Sequence, residues 1–296
     1  MLQYWSIWLC ALSLRWVPRR VGYAVAGFVA DIVFIVWREG RANMLDNMSH
    51  VLGPDATRQQ VRTMARRSLR NYSKYAVDYL RLSFAQVDEI TRHVTCPHWS
   101  KLDSLVNRGR GVMIVGMHMG NWDLGPALAC QRDYRVSVVV ETFKYSRMND
   151  FVQGIRAKLG MDAIPLERAG RGILSALRKK HLLGVLIDRP SHENGVKVTF
   201  FDAPTYVPAG AATLALKTGA PVVAFAVVRG QDNKFFTLYD DNIAVEPSGD
   251  FERDVQHLTQ KIIDSLEQMV RSYPDQWYMF RPMWKVEKQS HATARI

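Results

Sequence analysis

Gly111-Val112-Met113-Ile114-Val115-Gly116-Met117-His118-Met119-Gly120-Asn121-Trp122-Asp123 is the stretch on which the fold turns. Residues 112–117 form a short, wholly apolar run, the pattern of a strand buried on both faces. A turn holding Gly116 and Gly120 follows, and the apolar residues of 121–132 then recur at helical spacing behind Asn121, a residue suited to capping. A buried strand that feeds a helix through a tight turn opens an α/β unit. The same texture continues outward. Apolar runs at 136–141, 182–188, 198–201, 221–228 and 235–239 read as strands, and helical patterns occupy 98–108, 146–159, 169–180, 208–219 and 250–273. The expected fold is α/β: a central mixed sheet flanked by helices, preceded by an N-terminal apolar helical hairpin.

That hairpin is the apolar stretch 1–37, whose halves, 4–14 and 21–37, are separated by Arg15, Pro18, Arg19 and Arg20. Neither half reaches the ~20 uninterrupted apolar residues that cross a bilayer, and the second carries Asp31. No positive charge precedes the first run, as a secretory signal requires. Two helices are expected, with Pro18 at a helix start and Trp5, Trp8, Trp16 and Trp37 suited to a membrane interface. An ordinary core hairpin fits the same pattern. Residues 38–296 then form one α/β unit. Within it, 56–84 reads as a basic amphipathic helix, with Arg58, Arg62, Arg66, Arg67 and Arg70 set among Val61, Met64, Ala65 and Leu69. Its charge suits either an anionic surface or plain solvent.

Composition narrows the class. The 296 residues are 48% apolar and 23% charged, which excludes collagen-like, low-complexity and disordered chains. The net charge is +11, and residues 1–81 hold 12 basic side chains against 5 acidic ones, a field that attracts phosphates. Cys10, Cys96 and Cys130 are too scattered for a disulfide framework, which fits a reducing compartment. With neither Cys-x-x-Cys nor His-Glu-x-x-His, no metal is expected.

His118 is the candidate base. A histidine five residues ahead of an aspartate also occurs at His50/Asp55 and His98/Asp103, so spacing alone decides nothing. Context does. Only His118 follows a buried-strand pattern, lies between glycines and leads into a helix. The turn is expected to bring Asp123 to one imidazole nitrogen, leaving the other to act as a base. Backbone donors near Gly120 and Asn121 would hold an oxyanion. No Gly-x-Ser-x-Gly elbow or Gly-x-x-x-x-Gly-Lys-Ser/Thr loop occurs, so the nucleophile falls to a hydroxyl of the substrate. A histidine that merely buffers a structural turn is the other reading.

The His118-to-Asp123 motif after its apolar strand resembles the His-x4-Asp/Glu motif of glycerolipid and glycolipid acyltransferases. More narrowly, it is similar to the branch holding the bacterial lipid A biosynthesis and phosphatidylinositol mannoside acyltransferases. The resemblance runs over nearly the whole chain: Gly109-Arg110-Gly111, Arg156 with Leu159-Gly160, Ile187-Asp188-Arg189, Phe200-Phe201-Asp202, Val207-Pro208-Ala209-Gly210 and Pro274-Asp275-Gln276-Trp277-Tyr278. It implies that His118 is the general base, Asp123 its orienting partner and Arg156 an active-site arginine. It also implies that Asp188 stands at a strand end near the acceptor, although the local sequence departs from the pattern at Arg189-Pro190-Ser191.

The implied function is O-acyl transfer from an acyl-CoA or acyl carrier protein thioester to a glycolipid hydroxyl, the acceptor resembling a phosphatidylinositol mannoside or a lipid A precursor. No cofactor and no nucleic acid are expected. The partners are the thioester donor, the glycolipid and an anionic membrane surface. The expected place is the cytoplasmic face of the bacterial cell membrane, as a peripheral or monotopic protein. Two other classes stay open: a non-catalytic basic protein binding nucleic acid or anionic lipid, and a thioester or lipid hydrolase.

Overall fold

The computed structural model describes residues 2–84, 91–191 and 195–284; positions 85–90, 192–194 and 285–296 of the expected α/β unit lie outside the described residues. Four helices come first: α1 (Leu2–Leu14), α2 (Arg19–Val36), α3 (Arg38–Leu52) and α4 (Arg58–Leu82). Then follow β1 (Val94–Thr95), α5 (Trp99–Val106), β2 (Val112–Gly116), α6 (Leu124–Cys130), β3 (Val136–Val140), α7 (Ser146–Lys158), β4 (Met161–Pro165), α8 (Ala169–Arg178) and β5 (Leu182–Leu186). The chain continues through β6 (Gly195–Phe200), β7 (Ala203–Pro208), α9 (Gly210–Thr218), β8 (Val222–Arg229), β9 (Phe235–Ile243) and α10 (Phe251–Ser272).

Seven strands form one sheet in the order β1-β9-β8-β2-β5-β3-β4, and the expected mixed character comes from β8 and β9, the one antiparallel pair in it. Strand β2 is central, with β5 and β8 parallel on its two sides. Its residues Val112, Met113 and Val115 are fully buried, because helices cover both faces. One apolar cluster gathers α3, the first half of α4, α8, α9 and α10; the other gathers the second half of α4, α5, α6 and α7. Helix α4 belongs to both. It begins with a Thr57/Gln60 capping box, gives Val61, Ala65 and Leu69 to one cluster and Tyr75, Tyr79 and Leu82 to the other. This is what carries its tyrosines to the edge of β2.

The sequence pattern passed over four elements: α3, β1, β4 and β7. It also placed 198–201 in the central sheet. That segment is instead the end of β6, which pairs only with β7 in a separate antiparallel hairpin. Phe201 and Asp202 both adopt positive φ, 50° and 59°, the geometry of a tight turn whose twist suits a hairpin.

Helix α2 packs on α4 through Gly22, Tyr23, Gly27, Ala30 and Phe34. Asp31, the charge that interrupts the apolar run, accepts from Arg66 Nε at 2.7 Å and Arg70 Nη1 at 2.8 Å. Part of the basic face of α4 is therefore neutralised within the protein. A buried cluster adds a lock: Tyr23 donates to Asp78 at 2.5 Å, and Asp78 pairs with Arg229 of β8. Burial, reinforced by the charge of Asp78, pushes the Tyr23 hydroxyl up to about 12. The outer face of α2 stays uncovered, with Val21, Val25, Phe28, Val29, Ile32, Ile35 and Val36 all exposed, Phe28 to 67%. Among the described residues no single helix is long and apolar enough to cross a membrane.

Candidate active site

The strand register assembles the site. Gly116 of β2 lies opposite Leu186 of β5, so the residues two positions beyond each strand, His118 and Asp188, emerge side by side. His118 Nδ1 stands 2.7 Å from Asp188 Oδ1, and the His118 backbone N–H donates to Asp188 Oδ2 at 2.9 Å. The Trp277 indole N–H donates to the same oxygen at 3.1 Å. Asp188 is completely buried. Burial by itself would raise its pKa, but the His118 charge and these three donors outweigh it and hold the carboxyl below the usual range. An ionised Asp188 accepts from Nδ1–H, which leaves Nε2 of His118 with its lone pair. The imidazole keeps 21% of its surface exposed, so the ring is reachable.

Asp123 does something else. The turn argument gave it to His118, and the structure corrects this: Asp123 Oδ2 accepts from the Tyr75 hydroxyl at 2.8 Å and Oδ1 from Arg156 Nε at 2.8 Å. The reason lies in what the loop packs against. Helix α6 starts only at Leu124, so the residues from His118 to Asp123 form a pinned loop rather than a helical turn. Gly120 has φ 59°, and a Cβ there would fall 1.9 Å from the Val227 carbonyl, so only glycine lets the loop lie against β8. Arg156, which the resemblance set in the active site, is held here by Asp123 and Gln153. Burial would lower its pKa, but the Asp123 charge prevails and raises it.

The pinned loop also overturns the expected oxyanion donors. The Gly120 N–H already donates to the Gln276 carbonyl and the Asn121 N–H to Val227, both at 2.8 Å. The Asn121 side chain does not cap α6; it is fully buried, and neither its Oδ1 nor its Nδ2 has a hydrogen-bond partner.

Tyr75 and Trp277 escaped the residue-by-residue reading. Tyr75 lies inside the basic helix 56–84, outside the apolar positions that the spacing picks out. Trp277 sits in a strap, residues 276–281, whose Gln276 side chain exchanges two hydrogen bonds with the Arg229 backbone, each 2.8 Å long. The Tyr278 N–H donates to the His118 carbonyl at 2.8 Å, and Asn47 of α3 donates to the carbonyls of Met279 and Arg281. The Gln276-Trp277-Tyr278 run was the available signal. Of the decoy histidines, His50 stacks on Trp284 and His98 on Tyr239.

An apolar pocket lies under α6, between that helix and the sheet. It is lined by Ile114 of β2 and by Gly125 and Pro126 of α6, the two elements that bracket His118, and by Trp99, Leu182 and Phe225. Among the described residues no three His, Cys, Asp or Glu side chains converge where a metal could bind.

The comparisons with known proteins give the family. Residues 1–286 match the family model described as bacterial lipid A biosynthesis acyltransferase. The chain belongs to that family, and it is an acyltransferase. It is also similar to two mycobacterial proteins named phosphatidylinositol mannoside acyltransferase. The one from Mycobacterium tuberculosis is 28% identical over 271 residues, 87% of this chain and 81% of the relative. The one from Mycolicibacterium smegmatis is 26% identical over 295 residues, 96% of this chain and 91% of the relative. Members of this family act in lipid biosynthesis, which absorbs the resemblance carried by the His118 motif and the 274–278 strap.

Proposed function

We propose that this acyltransferase moves a fatty acyl group from a thioester donor, acyl-CoA or acyl carrier protein, to a hydroxyl of a glycolipid. It works at the cytoplasmic face of the bacterial cell membrane. The observation that carries the reading is the His118–Asp188 pair, in which a buried carboxylate holds one imidazole nitrogen and leaves the other as a base. Nε2 takes the proton of the acceptor hydroxyl as its oxygen attacks the thioester carbonyl. Asp188 stabilises the imidazolium that results. The tetrahedral intermediate expels the thiolate, which recovers the proton from His118 and leaves as a thiol. No covalent enzyme intermediate and no cofactor are required. Asp123 clamps Arg156 and Tyr75 and so fixes the loop that presents His118.

The pocket under α6 suits the acyl chain, since its lining is almost wholly apolar and includes residues of β2 and α6, the elements on either side of the His118 loop. The names of the mycobacterial relatives support a phosphatidylinositol mannoside-like acceptor, and the family description supports one like a lipid A precursor. The exposed stripe of α2, with Trp16 and Trp37 near its two ends and Arg15 and Arg20 beside the first, supports peripheral or monotopic attachment to an anionic surface.

The test is incubation of purified protein in detergent with acyl-CoA and acyl carrier protein donors against lysophospholipid, lipid A precursor and phosphatidylinositol mannoside acceptors. Acyl transfer to a sugar hydroxyl, lost in His118→Ala, is the expected result. Donor cleavage at one rate with or without acceptor would make the protein a hydrolase instead. Flotation with anionic vesicles tests the attachment: high salt should release only part of the bound protein, because the apolar stripe is not screened.

A further inference from the structure

Aromatic rings run without a gap from the outer end of α2 to His118. Trp37, at the bend between α2 and α3, lies edge-on to Phe280 at 6.3 Å between ring centroids. Phe280 meets Tyr72 at 5.2 Å, Tyr72 meets Tyr75 at 5.8 Å, and Tyr75 lies on Trp122 at 3.9 Å. Trp122 stands 5.2 Å from the imidazole of His118. Four separate segments of the chain supply these rings. The packing is built around them: a Cβ on Gly40 would come within 2.3 Å of the Trp37 ring, so α3 carries a glycine where that indole rests.

The rings are not all core. Trp37 is 41% exposed and Tyr72 37%, while Phe280 and Trp122 are half-buried and Tyr75 and Tyr278 are closed off behind them. A row of partly exposed rings, set edge to face at Phe280 and backed by buried tyrosines, is a surface preorganised to receive a flat, weakly apolar body. Its two ends say what that body is. One end joins the exposed apolar stripe of α2, where a lipid would be anchored, and the other stops at the base that takes a hydroxyl proton. A body that must be both tethered to acyl chains and rich in hydroxyls is a sugar ring, whose C–H face packs on aromatic faces while its hydroxyls stay free.

We propose that the exposed parts of the Trp37, Phe280, Tyr72 and Trp122 rings form a track that seats the sugar of the glycolipid acceptor between the exposed stripe of α2 and the imidazole of His118. This deepens the glycolipid reading above and rests on it. Arg189 borders the track beside Tyr72. Burial, and then the like charge of Arg281, hold Arg189 below the usual arginine range, and Glu141 pairs with it from one side. A phosphate on the acceptor would relieve that crowding.

Isothermal titration of the full chain in detergent tests the track, with a short-chain phosphatidylinositol dimannoside as the sugar-bearing probe and phosphatidylglycerol of the same chain length as the sugar-free one. The wild-type protein should prefer the dimannoside. Tyr72→Ala and Phe280→Ala should each weaken dimannoside binding about tenfold and leave phosphatidylglycerol binding in place, while Tyr72→Phe keeps the wild-type value. Tyr145→Ala, an exposed aromatic off the track, is the control, and thermal midpoints check that each variant is folded. Equal binding of both lipids by the wild type, or unchanged dimannoside binding in folded Tyr72→Ala and Phe280→Ala, would overturn the track. Acyl transfer measured on the same samples separates the two ideas: the expected binding pattern without transfer from any thioester sinks the proposed function and leaves the track standing.

Discussion

Two histidines sit at opposite edges of the same sheet, each beside an aspartate. His118 follows β2 at its C-terminal end; His181 precedes β5 at its N-terminal end. The Asp188 partner of His118 is fully buried at 2.7 Å, and the ring remains 21% exposed. The Asp162 partner of His181 lies 3.8 Å away and is 73% exposed, and Nδ1 also meets the Ser137 hydroxyl at 2.9 Å. His181 Nε2 is buried without a hydrogen-bond partner. Burial lowers the pKa of this imidazole, and Asp162 opposes the shift only in part. A base needs a desolvated carboxylate on one nitrogen and an open face on the other. Proximity of an imidazole to a carboxylate is not sufficient.

The sharpest way to break this contrast is to remove each imidazole in turn. His118→Ala should cost between about 10² and 10⁴ in turnover, the scale of a lost general base, with donor binding retained. His181→Gln should leave turnover close to wild type. Equal losses in two folded variants would mean that the edge of the sheet does not matter.

Next come the carboxylates. Asp188→Asn keeps the volume but removes the charge that sets the tautomer and supports the imidazolium, so turnover should drop by about 10² or more with KM little changed. Asp162→Asn should have no measurable effect on the rate. If Asp188→Asn turned over normally, the buried pair would be structural only.

A smaller and different effect is expected at Asp123. Its removal strips the nearly buried Arg156 of its counter-charge, which destabilises the fold by about 3 kcal/mol, while Asp123→Glu should recover part of the loss. Chemical denaturation measures both quantities, and steady-state kinetics on the same variants gives the rate. A rate loss in Asp123→Asn as deep as that of Asp188→Asn, with stability intact, would return Asp123 to the imidazole.

The smallest expected effect is on stability against pH. Unfolded histidine titrates near about 6.5, and folded His181 titrates lower. Between those two values the unfolded chain binds more protons, so the His181 contribution is complete above the unfolded value and is lost as pH falls toward the folded one. Thermal midpoints across that window should fall less steeply in His181→Gln than in the wild type. Parallel slopes would show that His181 is a bystander.

Much of this site was legible residue by residue. The apolar run at 112–117 marks a strand wherever it folds, because a continuous apolar segment of that length between glycines has few other stable uses. Context rather than spacing separated His118 from His50 and His98, and both decoys do stack on aromatic rings. The error over Asp123 came from starting the helix at Asn121, which put Asp123 in a first helical turn that begins only at Leu124. Contacts from β8 and from the 276–278 strap hold that loop open, and no local pattern contains them. Likewise, 198–201 reads as a strand in isolation, and nothing local says which sheet it joins.

The sequence by itself determined the alternation of strands and helices, the histidine to watch, the apolar N-terminus and, through its motifs, the family. Tertiary structure alone decided which carboxylate serves His118. Asp188 lies seventy residues away in the chain, at the end of an apolar run that any of several strands might have paired with. Strand order and register are long-range choices, settled when β5 rather than another strand buries itself against β2. Only that pairing, Gly116 against Leu186, brings two separate strand ends together as one candidate site.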